Sequence, residues 1–500
     1  MGTLGAGKLS GSSLRASAAA ICCLVACAGL LAFAHGAKAE PKLVTLDVPS
    51  KVIDPATQSF APPVSSTMGP HPGSLKANVL LPDGYTPAKR YPLLLLLHGA
   101  GERYDSWADP ELGDIRNTAK NLNAIIVMPE AAHGFYTDWW NEGARTNPGW
   151  EHYIREELLP LIQRKYSIRT ERRYHAVAGF SMGGYGTYLT GSLLNGYFGT
   201  VVPLSAFASI RTPETQLAFS TASGGIPFNT IYGPSTEYYA EGHDPIEWGP
   251  NFRNTNMDVY TGDGTPDPAL RPENSTPTDS ISLLLESFLK LQNDTTVQAI
   301  KDAGSTTIDY TVHPGSHHFE FWRPDLKSAI AKGLFKPTVE RPASWTYVTA
   351  SKEGRAWDID FRFADGQTKV AEFSRKGGTL SATGDGQVSL SDGNGCSYDE
   401  TLPFTIKLKT APCRKLSVKT TGKPKAGSKS TIKVTVTGET KFDAKGPVDA
   451  AKVKLGGKTV ITNGMGKATV KVKAKKNAKR LTLTVSKSGH SPAKKQLRVR

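Results

Sequence analysis

The chain has 500 residues, 39% hydrophobic and 21% charged, enough to bury more than one core and to form roughly two to four domains. Its charge of +15 is unevenly spread: 24 of the 60 Lys and Arg but only 3 of the 45 Asp and Glu lie from Arg414 onward, so that segment carries +21 and the remainder −6. Hydropathy excludes a membrane-spanning body, apart from one apolar run at the N-terminus.

There, Lys8 and Arg15 precede the apolar residues 16–34, and Ala37-Lys38-Ala39 offers a small-x-small cleavage site, so residues 1–39 read as a secretory signal peptide. A retained anchor helix is the rival, since 19 apolar residues just span a bilayer. Leu24-Val25-Ala26-Cys27 resembles a lipoprotein processing box, but the chain stays apolar after Cys27 where a lipid tether turns polar. Cleavage after Ala39 removes Cys22, Cys23 and Cys27, leaving Cys396 and Cys413 as an expected disulfide in an exported chain.

Residues 42–49 and 74–82 read as antiparallel edge strands. Tyr91-Pro92-Leu93-Leu94-Leu95-Leu96-Leu97 and Ala124-Ile125-Ile126-Val127-Met128-Pro129 are apolar on both faces, as central parallel strands are, and residues 105–122 leave room for a crossover helix between them. An amphipathic helix is expected over 149–166 and a strand over 174–178, followed by a helix over 185–194. Strands follow at 200–205, 256–260 and 307–312, with a helix at 280–291; residues 206–250 read as a cap or substrate-facing insertion. The alternation predicts an α/β fold with a doubly wound, mostly parallel sheet over residues 40–338. Residues 344–414 then read as a small β-rich domain holding Cys396 and Cys413, and 415–500 as a basic immunoglobulin-like sandwich.

Chemistry concentrates at Gly179-Phe180-Ser181-Met182-Gly183, a strand-to-helix turn that lifts one hydroxyl off an α/β-hydrolase sheet and makes Ser181 a nucleophile. A serine needs a base oriented by an acid, and in this fold the chain order is serine, acid, histidine. Among the later histidines, His317 follows the last strand, where the base is expected. A metal cluster of His313, His317 and His318 is the alternative, but neither cysteines nor carboxylates stand at zinc spacing. For the acid, residue patterns favour Asp263, in a turn after a strand, whereas Glu286 reads as the surface of an amphipathic helix. Two amides must meet the developing oxyanion: Met182, at the helix start, supplies one, and the loop after Leu97 the other. Phe135, Tyr136, Trp139, Trp140 and Trp150 are candidates for an acyl or aryl pocket, with core packing as the alternative.

Gly315-Ser316-His317-His318-Phe319-Glu320-Phe321-Trp322 resembles the histidine segment of the secreted mycolyltransferases, within the wider esterase D family of α/β-hydrolases. Phe135-Tyr136-Thr137-Asp138-Trp139, Tyr260-Thr261-Gly262-Asp263-Gly264-Thr265-Pro266 and Leu285-Glu286-Ser287-Phe288 resemble other segments of that family in the same order, so the likeness covers roughly residues 42–335. The resemblance implies Ser181 as nucleophile, Glu286 rather than Asp263 as acid, His317 as base and Ala100 as the second oxyanion amide; Tyr136, Trp139 and Trp322 are the residues expected beside the substrate. No arginine follows the oxyanion residue directly, where the mycolyltransferases contact their sugar, so transfer to trehalose is not implied. The expectation is a secreted serine carboxylic-ester hydrolase without metal or organic cofactor. An acyltransferase and a non-catalytic surface protein on the same scaffold are the alternatives. The partners expected are an ester substrate and, through the basic tail, an anionic cell-wall or envelope polymer, but no nucleic acid.

Overall fold

The computed structural model describes residues 41–53, 75–140, 148–223, 225–267, 269, 277–439 and 445–500. The signal peptide and its anchor alternative, and the lipoprotein box at Cys27, lie outside them. Eight strands form one sheet: β1 (Lys42–Val48), β2 (Leu75–Leu81), β3 (Leu93–Leu97), β4 (Ile125–Pro129), β5 (His175–Phe180), β6 (Thr200–Leu204), β7 (Asn256–Gly262) and β8 (Ile308–His313). Their order is β1-β2-β4-β3-β5-β6-β7-β8; β1, β2 and β4 pair antiparallel, and the pairs from β4 through β8 are parallel. The five leucines of β3 show why a central strand is apolar throughout: Leu93, Leu95 and Leu97 enter the core on one face, Leu94 and Leu96 that on the other.

Three helix expectations change. Residues 105–122 hold only the short helix Ile115–Thr118, because Trp107 turns inward to donate its Nε1–H to the Leu97 carbonyl at 3.0 Å and the chain loops around it. The helix expected over 149–166 runs from Trp150 to Lys165, but with a wide π turn at Tyr153–Leu158 just ahead of Pro160, whose missing N–H breaks the regular ladder. The helix expected at 280–291 extends over Pro277–Asp302. Its polar second half is held from within: Gln292 accepts the Ala208 amide at 3.0 Å, Asn293 donates to the Ala206 carbonyl at 2.8 Å, and Thr296 donates to the Ala208 carbonyl at 2.9 Å. These side chains satisfy the irregular backbone after β6, which would otherwise be buried without partners. Residues 213–252 fold as short helical segments around the buried rings of Phe219, Phe228, Tyr232 and Trp248. Among the described residues no helix is long and apolar enough to cross a membrane.

The rest is all β. Residues 344–407 form two four-stranded antiparallel sheets around Trp345, Tyr347, Phe361 and Phe373, and residues 414–498 form a five-stranded and a four-stranded sheet around Ile432, Val434, Val453 and Val470. Cys396 and Cys413 are joined by a disulfide, as expected. The first β segment is fastened to the α/β part. Asn251 pairs with the Val348 backbone in both directions, at 2.7 and 2.9 Å, and Asn195 accepts the Trp357 amide at 2.8 Å. Between them Glu353, buried, takes Arg155, His152 and Arg362; burial alone would raise its carboxyl, but these partners hold it far below the usual range. Glu353→Gln leaves the buried Arg155 guanidinium with Glu156 as its only carboxylate in the described contacts and is expected to destabilise the chain by about 3 kcal/mol, read from urea unfolding.

Candidate active site

The strand-to-helix turn after β5 is built on closeness. A Cβ on Gly179 would stand 2.5 Å from the Gly183 carbonyl oxygen, and one on Gly183 would stand 2.5 Å from that of His98, so only glycine fits at both. Between them Ser181 adopts φ 56°, ψ −120°, a conformation that costs a non-glycine residue on the order of 1–3 kcal/mol. It is held there by backbone bonds on both sides: its amide donates to Leu204 at 3.0 Å, and its carbonyl accepts Tyr185 and Phe207 at 3.0 and 3.2 Å. Helix Met182–Leu193 follows at once, and its first amide, that of Met182, has no intrahelical acceptor.

His317 stands in the loop after β8, and its Nδ1 is 2.7 Å from Glu286 Oε2, the arrangement in which Nδ1–H donates to a carboxylate. Glu286 is fully buried on the Pro277–Asp302 helix. Its other oxygen, Oε1, accepts Ser205 Oγ at 2.5 Å, the Gly262 amide at 2.7 Å and Thr261 Oγ1 at 3.0 Å. Burial pushes this carboxyl up, but His317, Ser205 and the Gly262 amide outweigh it, and the group lies below its ordinary range. Asp263, the acid that residue patterns favoured, turns the other way: its Oδ1 accepts the amide and hydroxyl of Thr265, at 2.8 and 2.5 Å, in its own loop.

One aromatic bridge joins the serine turn to the histidine loop. Trp322 stacks on Phe180 with centroids 4.0 Å apart, sets its plane at 82° to the His317 ring at 4.8 Å, and donates Nε1–H to Ser205 Oγ at 2.9 Å. Expected beside the substrate, Trp322 is buried, as are Tyr136 and Trp139. The Tyr136 hydroxyl donates to the His98 carbonyl at 3.0 Å and Trp139 Nε1 to that of Gly134 at 3.2 Å. Phe135 and Trp150 join the same interior. Ser205, in no sequence pattern, is the addition: small, at the end of β6 and at φ 41°, it links Trp322 to Glu286.

Ala100 lies in the turn after β3, and His98 fixes that turn. Its Nε2 accepts the Ala131 amide at 3.0 Å, which leaves the proton on Nδ1 to be donated to the Gly99 carbonyl at 2.8 Å. The Gly99 carbonyl and the Ala100 N–H share one planar peptide, so anchoring the first directs the second the opposite way.

His313 and His317, four residues apart, engage different acids. His313 Nε2 lies 3.0 Å from the buried Asp325. Burial disfavours its charge, but Asp325 outweighs it and lifts His313 to about 9. Burial also pushes Asp325 up, with His313 opposing. A histidine raised from about 6.5 contributes stability that is complete below that value and is lost as pH rises through about 9. Thermal stability should therefore fall between pH 6.5 and 9 in the wild type and less steeply in His313→Gln, measured by calorimetric scans across that range.

A family model described as Esterase matches residues 67–332. Esterase Rv1288 of Mycobacterium tuberculosis is 30% identical over 280 residues, which are 54% of this chain and 58% of that protein, so the chain spans a little over half the length of this curated relative. The protein named diacylglycerol acyltransferase/mycolyltransferase Ag85C, of Mycobacterium leprae, is 24% identical over 243 residues, 45% of this chain and 68% of its own. Among solved structures, a ferulic acid esterase is 24% identical and covered over 97% of its length and 59% of this chain, with a TM-score of 0.41. With more than half its residues inside the match, the chain belongs to the Esterase family.

Proposed function

We propose that this protein hydrolyses carboxylic esters through an acyl-enzyme on Ser181. What carries the reading is the His317 Nδ1 to Glu286 Oε2 contact of 2.7 Å, made to a buried carboxylate and bridged by Trp322 to the residue preceding Ser181. With Nδ1–H given to Glu286, His317 keeps Nε2 free to take the serine proton as Oγ attacks the ester carbonyl, and to return it to the leaving alcohol. The amides of Met182 and Ala100 receive the charge that develops on the carbonyl oxygen. Water then repeats the sequence and frees the acid.

Transfer to an alcohol in place of water is the second reading, favoured by the 24% identity to the relative named an acyltransferase. Incubation with p-nitrophenyl esters, with and without a sugar or lipid alcohol, separates the two: hydrolysis releases free acid in both arms, whereas transfer yields a new ester only with acceptor. A fluorophosphonate probe that modifies a residue other than Ser181 defeats both. The finer parts of the reading are an α/β-hydrolase domain over 40–338, export of the chain, for which the Cys396–Cys413 disulfide is the support, and an immunoglobulin-like sandwich over 415–500. Aryl esters are included among the proposed substrates, beside acyl lipids and acylated sugars. Contact of the basic segment with an anionic envelope polymer rests on its charge of +21.

A further inference from the structure

A cleft of about 750 Å3 opens where the α/β part meets both β segments. It lies beside His175, the first residue of β5, whereas Ser181 follows the last, so a strand length of about 20 Å separates it from the candidate active site. Its walls are heavily charged, and the charges do not cancel. Among the described residues every carboxylate that lines it faces a cation or accepts a hydrogen bond. Asp358 holds Arg375 at 2.6 Å, and Asp360 faces Arg355 at 3.7 Å. Glu340 accepts the amides of Arg172 and Arg173, and Asp392 those of Asn394 and Cys396, all within 3.0 Å. Asp449 faces Arg90 at 3.6 Å, and Glu439 accepts the Lys415 amide at 3.4 Å.

Three lining cations have neither a carboxylate nor a carbonyl partner for their side chains among the described residues. The Arg169 guanidinium lies over the Tyr174 ring at 4.2 Å, Arg341 reaches only Ser488 Oγ at 3.4 Å, and the Lys487 ammonium makes no hydrogen bond or ion pair. Burial holds Lys487 below its ordinary range; Asp449 opposes it, and the neighbouring Arg90, Arg341 and Arg355 add to it more weakly. A half-buried cation facing other cations is a cost that a bound anion removes.

We propose that this cleft is a binding site for a multiply charged phosphate-type oxyanion, held by Lys487, Arg341 and Arg169. Guanidinium forks and a compact ammonium are the groups that suit phosphate oxygens, and the volume falls within the roughly 300–1,000 Å3 of small-ligand sites. Because the cations come from the α/β part, the connection after it and the last β segment, an occupant ties the three together and stabilises the folded chain by mass action.

Pyrophosphate is the probe, titrated calorimetrically into the full chain against sodium chloride of matched ionic strength, with citrate as a carboxylate arm. Expected are saturable one-to-one binding, a raised Tm, and at least tenfold weaker binding in the Lys487→Gln, Arg341→Gln double variant, whose p-nitrophenyl ester hydrolysis stays at the wild-type rate. Arg169→Gln, alone, should weaken binding in the same direction. The proposal is overturned by the absence of saturable heat, by a double variant that binds as wild type, or by citrate binding as tightly as pyrophosphate, which would be charge attraction without phosphate recognition.

Discussion

Ser181→Ala lowers kcat for p-nitrophenyl butyrate by about 10⁵–10⁶-fold, while binding of the ester and the folded state survive. The expectation follows from how the turn is made. Ser181 is held by three backbone bonds, to Leu204, Tyr185 and Phe207, none of which uses its hydroxyl, so alanine keeps the geometry and loses only the attacking oxygen. The amides assigned to the oxyanion remain, and a residual acceleration of about 10³–10⁴ over water should persist from them and from substrate positioning. Fluorophosphonate labelling disappears with the hydroxyl. A companion variant separates chemistry from strain: Ser181→Gly is equally inactive but accepts φ 56° without cost, and should be more stable than Ser181→Ala by about 1 kcal/mol. A Ser181→Ala protein within tenfold of wild-type kcat would remove the nucleophile from this residue.

The serine turn was legible in the sequence because its constraints are local. Two glycines are required by approaches of 2.5 Å to backbone, and the five leucines of β3 announce a strand buried on both faces. The Pro277–Asp302 helix was misread because its buried face is mixed: Leu289, Val297 and Ile300 enter the core alongside polar side chains. Leu284 and Leu291 are 73% and 64% exposed, while Glu286, Gln292, Asn293 and Thr296 point inward to ligate loop backbone and His317. Periodicity assumes that apolar side chains face the core, so it sent Glu286 outside and ended the helix at its first polar stretch. Resemblance to the mycolyltransferases pointed to Glu286, which the fold sets against His317, a contact periodicity does not signal. Ser205 and the bridging role of Trp322 had no local signal at all, since each acts on partners more than 80 residues away in the chain. Tyr136 and Trp139 were marked for a pocket by composition, but an aromatic-rich segment looks the same whether its rings meet substrate or, as here, one another and the backbone.

Glu286→Gln lowers kcat by about 10³–10⁴-fold with little change in KM, whereas Asp263→Asn stays within about threefold of wild type. The difference is one of hydrogen-bond inventory. Glu286 is an acceptor at both oxygens, to His317 Nδ1–H on one and to Ser205, Thr261 and the Gly262 amide on the other. A glutamine has one acceptor oxygen, so its amide must face one of those sets. Pointed at His317, the NH2 turns the imidazole to the tautomer with its proton on Nε2, where it cannot accept from serine; pointed at Gly262, it meets a backbone donor with no acceptor between them. Either way an ionised group held below its ordinary range by these donors is replaced by a neutral one, and the imidazolium that forms during attack loses its counter-charge. Asp263 makes its bonds to Thr265 within an exposed turn, and asparagine keeps an acceptor there. Because the Glu286 carboxyl is depressed, its contribution to stability is present above the unfolded value near 4.5 and is lost as pH falls through the lower folded one, so Glu286→Gln should flatten the acid end of the stability profile as well as slow turnover. Equal losses in the two variants would mean that the buried contact is structural and that the orienting acid lies elsewhere.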